Sequence, residues 1–68
     1  MDKIKLGSIC LTRVDKKFDS AGGECFIKKG TVVTVCDDDD VAKGYVLVES
    51  EGFETVFDYL LTELLLLK

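Results

Sequence analysis

Thr31-Val32-Val33-Thr34-Val35 places five β-branched residues in succession. Two heavy atoms on each Cβ stiffen χ1 and crowd the preceding turn of a helix, whereas a pleated strand accommodates them. The run, continued to Cys36, is expected to be a strand with Val33 and Val35 on one face and Thr34 between them. A strand with one apolar face needs partners, and the rest of the chain offers segments of the right length. Gly and charged residues cut it into short apolar runs, which describes a small antiparallel β domain.

Residues 8–14 form the first run, with Ile9 and Leu11 on one face and Cys10, Thr12 and Val14 on the other. Asp15 to Glu24 is polar and contains Gly22-Gly23, which reads as a loop around a lone Phe18. Cys25-Phe26-Ile27 is a brief apolar patch, and Lys28-Lys29-Gly30 a turn. Asp37 to Asp40 ends the β-branched strand. Tyr45 to Glu49 supplies the next strand, Ser50-Glu51-Gly52 a hairpin turn, and Phe53 to Phe57 the returning strand. The C-terminal segment reads two ways. Phe57, Leu60, Leu61, Leu64 and Leu65 fall at helical spacing; alternatively Asp58 to Leu61 is one short helical turn before a last strand, Leu64 to Leu67. The second reading supplies a closing edge and is preferred. The expected core is Ile9, Leu11, Val33, Val35, Val46, Val48 and Phe57, in a single domain spanning residues 1–68.

With 68 residues, 47% of them hydrophobic, the chain can form one thin core. Charge is unevenly placed. Residues 1–34 carry seven basic side chains against four acidic ones, and residues 35–68 carry two against nine. The total of −4 opposes the basic footprint of nucleic-acid binders and suits a basic protein partner.

Several chemistries are excluded or disfavoured. The chain has no His, Trp or Pro, so imidazole bases and imidazole metal ligands are absent. Cys10, Cys25 and Cys36 lack the close spacing of a zinc or redox motif, and Cys10 and Cys36, each following strand-like residues, read as small buried hydrophobes; reduced thiols fit a cytoplasmic setting. Residues 1–5 do not resemble a secretory leader, and Leu64–Leu67 is far too short to cross a membrane. An EF-hand reading starting at Asp38 fails, because Ala42 and Lys43 occupy positions that need a carboxylate and a glycine. The carboxylates lie in turns and at strand ends, where water keeps them at ordinary acidity. The expectation is a protein without enzymatic activity, cofactor or metal.

The aromatic residues read mainly as core, Phe26 and Phe57 above all. Phe53 and Tyr59, bordered by Glu51, Glu54 and Asp58, can instead serve as half-exposed anchors of a binding face.

Ile27-Lys28-Lys29-Gly30-Thr31-Val32-Val33-Thr34-Val35 resembles the basic-basic-Gly entry into a strand of Src-homology-3-like and KOW-type small barrels. The hairpin from Tyr45 to Phe57, and Asp58-Tyr59-Leu60-Leu61 followed by Leu64–Leu67, resemble the rest of such a barrel over residues 27–67. The resemblance implies a five-stranded antiparallel Src-homology-3-like barrel with a short helical turn before the last strand. Fold alone does not carry function.

The functional expectation is an intracellular protein-binding module. Its acidic side is formed by Asp37, Asp38, Asp39, Asp40, Glu51, Glu54 and Asp58, with Tyr59 as anchor and Glu49 nearby. A compact acidic protein of this size can occupy a nucleic-acid channel by placing carboxylates where phosphates would sit. Small phage-encoded inhibitors of host nucleases often look like this. Two alternatives are a nucleic-acid accessory using Lys3, Lys5, Arg13, Lys16, Lys17, Lys28 and Lys29, and a self-associating barrel joined through Leu64–Leu67.

Overall fold

The computed structural model describes residues 3–20, 23–53 and 55–68, and every described regular element is a strand or a 3-10 turn. The strands are β1 (Ile9–Thr12), β2 (Lys16–Ser20), β3 (Gly23–Ile27), β4 (Val32–Asp37), β5 (Tyr45–Glu49), β6 (Val56–Leu60) and β7 (Leu64–Leu66). Five of them make one antiparallel sheet in the order β6-β5-β4-β1-β7, and β2 pairs with β3 in a separate two-stranded sheet. β6 and β7 stand at the two edges, so the hydrogen-bond ladder does not close on itself.

The β-branched run is β4, at the centre of the large sheet. Val33 and Val35 are buried there, as are Val46 and Val48 of β5 and Phe57 and Tyr59 of β6. The C-terminal leucines adopt the turn-and-strand arrangement, with a 3-10 turn at Leu61–Glu63, three residues later than expected, leading into β7. Glu63 reaches back to accept a hydrogen bond from the Leu60 N–H at 2.9 Å, which fixes the chain reversal. A second 3-10 turn, Val41–Lys43, ends at Gly44 with φ of 99°, a left-handed conformation that glycine adopts without Cβ strain.

Four expectations are corrected. Within the stretch expected to be a loop, Lys16–Ser20 is a strand that pairs antiparallel with Gly23–Ile27, and Phe18 packs against Phe57 with ring centroids 4.7 Å apart. On β1 the buried side chains are Cys10 and Thr12, while Ile9 and Leu11 are only partly buried on the opposite face. Thr12 earns that place through its hydroxyl, which donates to the Lys28 carbonyl at 2.9 Å and accepts from the Thr31 N–H at 3.0 Å. Phe26 is 52% exposed on the outer side of β3, because Ile27 and Cys25 take the inward positions. The returning strand also begins later than expected, at Val56 instead of Phe53.

Candidate functional site

Strand alternation decides which acidic side chains meet. On β5 and β6 the residues Val46, Val48, Phe57 and Tyr59 point inward, so Tyr45, Leu47, Glu49, Val56, Asp58 and Leu60 share the outer face. The register sets them in rows: Thr34–Glu49–Val56, then Asp37–Leu47–Asp58, then Tyr45–Leu60.

Asp37 joins this face through a local irregularity. Val35 pairs with Val48 and Asp37 with Leu47, leaving Cys36 as the extra residue of a β-bulge. Without the bulge, Asp37 would follow Val35 by two positions onto the buried side. The extra residue turns the carboxylate outward and spares it the cost of desolvation. The Cys36 thiol donates to the Leu47 carbonyl across the bulge at 3.5 Å.

The aspartate run is an ordered turn. Asp37 Oδ1 accepts from the Asp39 N–H at 2.9 Å, and Asp38 Oδ2 accepts from the Leu6 N–H at 3.2 Å. Asp40 pairs with Lys43 at 3.3 Å. It also serves as hydrogen-bond partner to the Tyr45 hydroxyl, which raises that phenol above its ordinary pKa, with burial adding to the effect. Among the described residues, Asp39 alone of the four has a carboxylate with no hydrogen bond or ion pair.

The structure therefore gathers Asp37, Asp40 and Asp58 around Tyr45, Leu47 and Leu60, the last 50% exposed, with Asp39 exposed on the adjoining turn and Asp38 directed to the Leu6 N–H. It does not gather every residue expected there. Glu51 lies on the β5–β6 turn, at the far end of a strand whose length is about 14 Å at ~3.4 Å per residue. Glu54 lies outside the described residues. Tyr59 is not an anchor on the surface: its exposure is 0%, and it belongs to the core. Its ring packs on Phe18 at 5.6 Å and lies under the Lys16 ammonium at 4.8 Å. Its hydroxyl is buried with no hydrogen-bond partner, and burial, followed by the charges of Glu63 and Cys25, pushes its pKa up to about 12. The surface tyrosine is Tyr45, which the alternation of Val46 and Val48 already implied.

The thiols offer little reactivity. Burial pushes Cys10 up, and burial followed by the charge of Glu49 does the same to Cys36, so the thiolate is disfavoured at both. Among the described residues, no three Cys, Asp or Glu side chains converge as metal ligands. Among the described residues, no helix is long and apolar enough to cross a membrane.

No protein-family model, curated protein or solved structure matches the chain.

Proposed function

We propose that this protein is a non-enzymatic binding module that docks on the basic surface of a protein partner through the outer face of β4, β5 and β6. The observation that carries the reading is the Asp37–Leu47–Asp58 row, flanked by Tyr45, Asp40 and Leu60. Carboxylates beside a tyrosine and exposed aliphatic groups form a surface that combines electrostatic attraction with desolvation. A concrete form of this activity is a small phage-type inhibitor that blocks a nucleic-acid-binding host protein, its aspartates standing where phosphates would bind. The sheet order, with the last strand beside the first and a 3-10 turn before it, supports the Src-homology-3-like assignment, and the free cysteines suit a cytoplasmic setting.

The nucleic-acid reading is less well supported. Lys16, Lys17 and Lys43 are held in ion pairs with Glu63, Glu24 and Asp40, leaving a reduced set of cations for phosphate. The discriminating experiment is a gel shift at low salt together with competition between this protein and duplex DNA for a lysine-rich peptide. The proposal expects no shift and mutual competition; a shift with a steep salt dependence would overturn it.

A further inference from the structure

The opposite end of β4 carries a surface of the opposite sign. Leu65 of β7, Leu11 of β1 and Val32 of β4 are cross-strand neighbours in one row on the outer face of the sheet. Leu65 is 50% exposed and Val32 54%. Beside this row an open groove of about 350 Å³ is lined by Leu11, Thr12, Arg13, Lys29, Gly30 and Leu65. Its shape is held by backbone bonds: Gly30 N–H to the Thr12 carbonyl at 2.8 Å and Arg13 N–H to the Glu63 carbonyl at 2.8 Å. Asp15 accepts from the Lys29 N–H at 2.7 Å, which anchors the turn without pairing with the Lys29 ammonium.

Arg13 and Lys29 are exposed, and among the described residues neither takes part in an ion pair. In a chain of net charge −4 these are cations left available in the presence of an excess of carboxylates. The carboxylates at the other end of this face cannot reach them within one molecule. β4 separates Val32 from Asp37 by roughly 17 Å at ~3.4 Å per residue, several times the distance of an ion pair. One molecule thus presents an aliphatic row edged by Arg13 and Lys29 at one end, and an aliphatic row edged by Asp37, Asp39 and Asp58 at the other.

We infer that the basic groove receives the acidic face of a second copy of this chain, giving head-to-tail self-association. The inference rests on the reading of the acidic face as a docking surface and names an additional occupant for it. Charge complementarity selects the partner: like faces repel, whereas the two unlike faces place cations against carboxylates around apolar centres. Both patches lie on the outer face of one sheet, so two copies packed antiparallel, face to face, can satisfy both contacts as a closed pair. A single contact leaves one groove and one acidic patch free for further copies. A second copy bound in this way also competes with any basic partner for the acidic face.

The test uses two variants that each lose one half of the contact. Arg13→Glu with Lys29→Glu reverses the groove, and Asp39→Lys with Asp58→Lys reverses the acidic face; all four positions are exposed. In sedimentation velocity at low ionic strength, the wild type is expected to form dimers or larger species as concentration rises. High salt should weaken this association at least about tenfold, as expected for a contact steered by charge. Each double variant alone is expected to stay monomeric, and an equimolar mixture of the two to form a 1:1 heterodimer through the single intact contact. Recovery in the mixture requires both variants to be folded, so loss of fold cannot imitate the result. A wild type that stays monomeric to millimolar concentration at low salt would overturn the inference, as would variants that still associate alone or a mixture that does not pair. A lysine-rich peptide, titrated against the Arg13→Glu/Lys29→Glu variant, reads the acidic face separately. Peptide binding without wild-type self-association removes only this inference; absence of both removes the docking reading as well.

Discussion

Lys16 Nζ lies 2.7 Å from Glu63 Oε1, joining the β2–β3 hairpin to the turn that precedes β7. The same ammonium donates to the Asp58 carbonyl at 3.2 Å and sits over the Tyr59 ring at 4.8 Å. One side chain therefore holds the small sheet against the edge strand β6 and roofs the buried end of the core. Burial by itself would raise the Glu63 carboxyl, yet hydrogen bonding to Lys16 and to the Leu60 N–H holds it below its ordinary value. Glu63→Gln should destabilise the domain by about 1 kcal/mol, the scale of a partly exposed, hydrogen-bonded pair.

The pH dependence follows from the sign of that shift. The unfolded Glu63 carboxyl takes up a proton near pH 4.3, at a higher pH than the folded one does. Its contribution is therefore complete above that range and is lost as pH falls through the lower folded value. Urea midpoints of the wild type and of Glu63→Gln should converge as the solution is acidified below about pH 4. A constant gap down to the acid limit would show that the ion pair is not the source of the difference.

Tyr59 offers a second titration, of the opposite sense. Its pKa of about 12 in the fold exceeds the ordinary phenol value, so the unfolded chain loses its proton first as pH rises. The contribution is present below pH ~10 and disappears as pH climbs through the folded value. Removing the unpartnered hydroxyl is expected to be tolerated: Tyr59→Phe should change stability by less than about 1 kcal/mol or increase it, whereas Tyr59→Ala should cost about 3–5 kcal/mol. Thermal unfolding of both variants checks the pair, and a large loss in Tyr59→Phe would mean that the hydroxyl has a partner.

The first strand tests which of its faces is core. Thr12→Val removes both the acceptor of the Thr31 N–H and the donor to Lys28, and should cost about 1–3 kcal/mol despite similar size. Ile9→Ser, on the partly buried opposite face, should cost less. Denaturant unfolding that ranks the two the other way would restore the face first expected.

These four residues of β1 show how far strand alternation can be read from sequence. In β4, β5 and β6 the alternation contrasts Val and Phe with Thr, Glu and Asp, so the inward set is visible. In β1 it sets Ile and Leu against Cys and Thr, and simple hydrophobicity chooses the wrong pair. Thr12 is inside because its hydroxyl finds two backbone partners, a long-range arrangement with no local signal. The hairpin was hidden for a related reason. Lys16-Lys17-Phe18-Asp19-Ser20 contains one hydrophobic residue, and its other inward position is taken by the stem of Lys16, whose charge is directed to Glu63. In the proposed docking face the acidic run stands out in the sequence, but Tyr45, Leu47 and Leu60 join it only through cross-strand register, and the turning of Asp37 depends on a bulge at Cys36.

The outer face separates attraction from contact. Leu60→Ser and Tyr45→Ala should mainly speed dissociation from a basic partner, because they remove apolar contact and leave the charge unchanged. Neither side chain belongs to the buried core, so thermal stability should change by about 1 kcal/mol or less. Surface plasmon resonance on the two variants resolves the rates; unchanged dissociation would place the contact elsewhere on the molecule.

The most direct measurement of the central claim is the association rate of the wild type, and of a variant with Asp37, Asp39, Asp40 and Asp58 all replaced by Asn, against an immobilised lysine-rich peptide. It should be made at two ionic strengths. Docking through this face predicts association slowed by about tenfold or more in the variant at low salt, with the two rates converging at high salt as the charges are screened. Equal association rates at low salt, with both proteins folded, would contradict it.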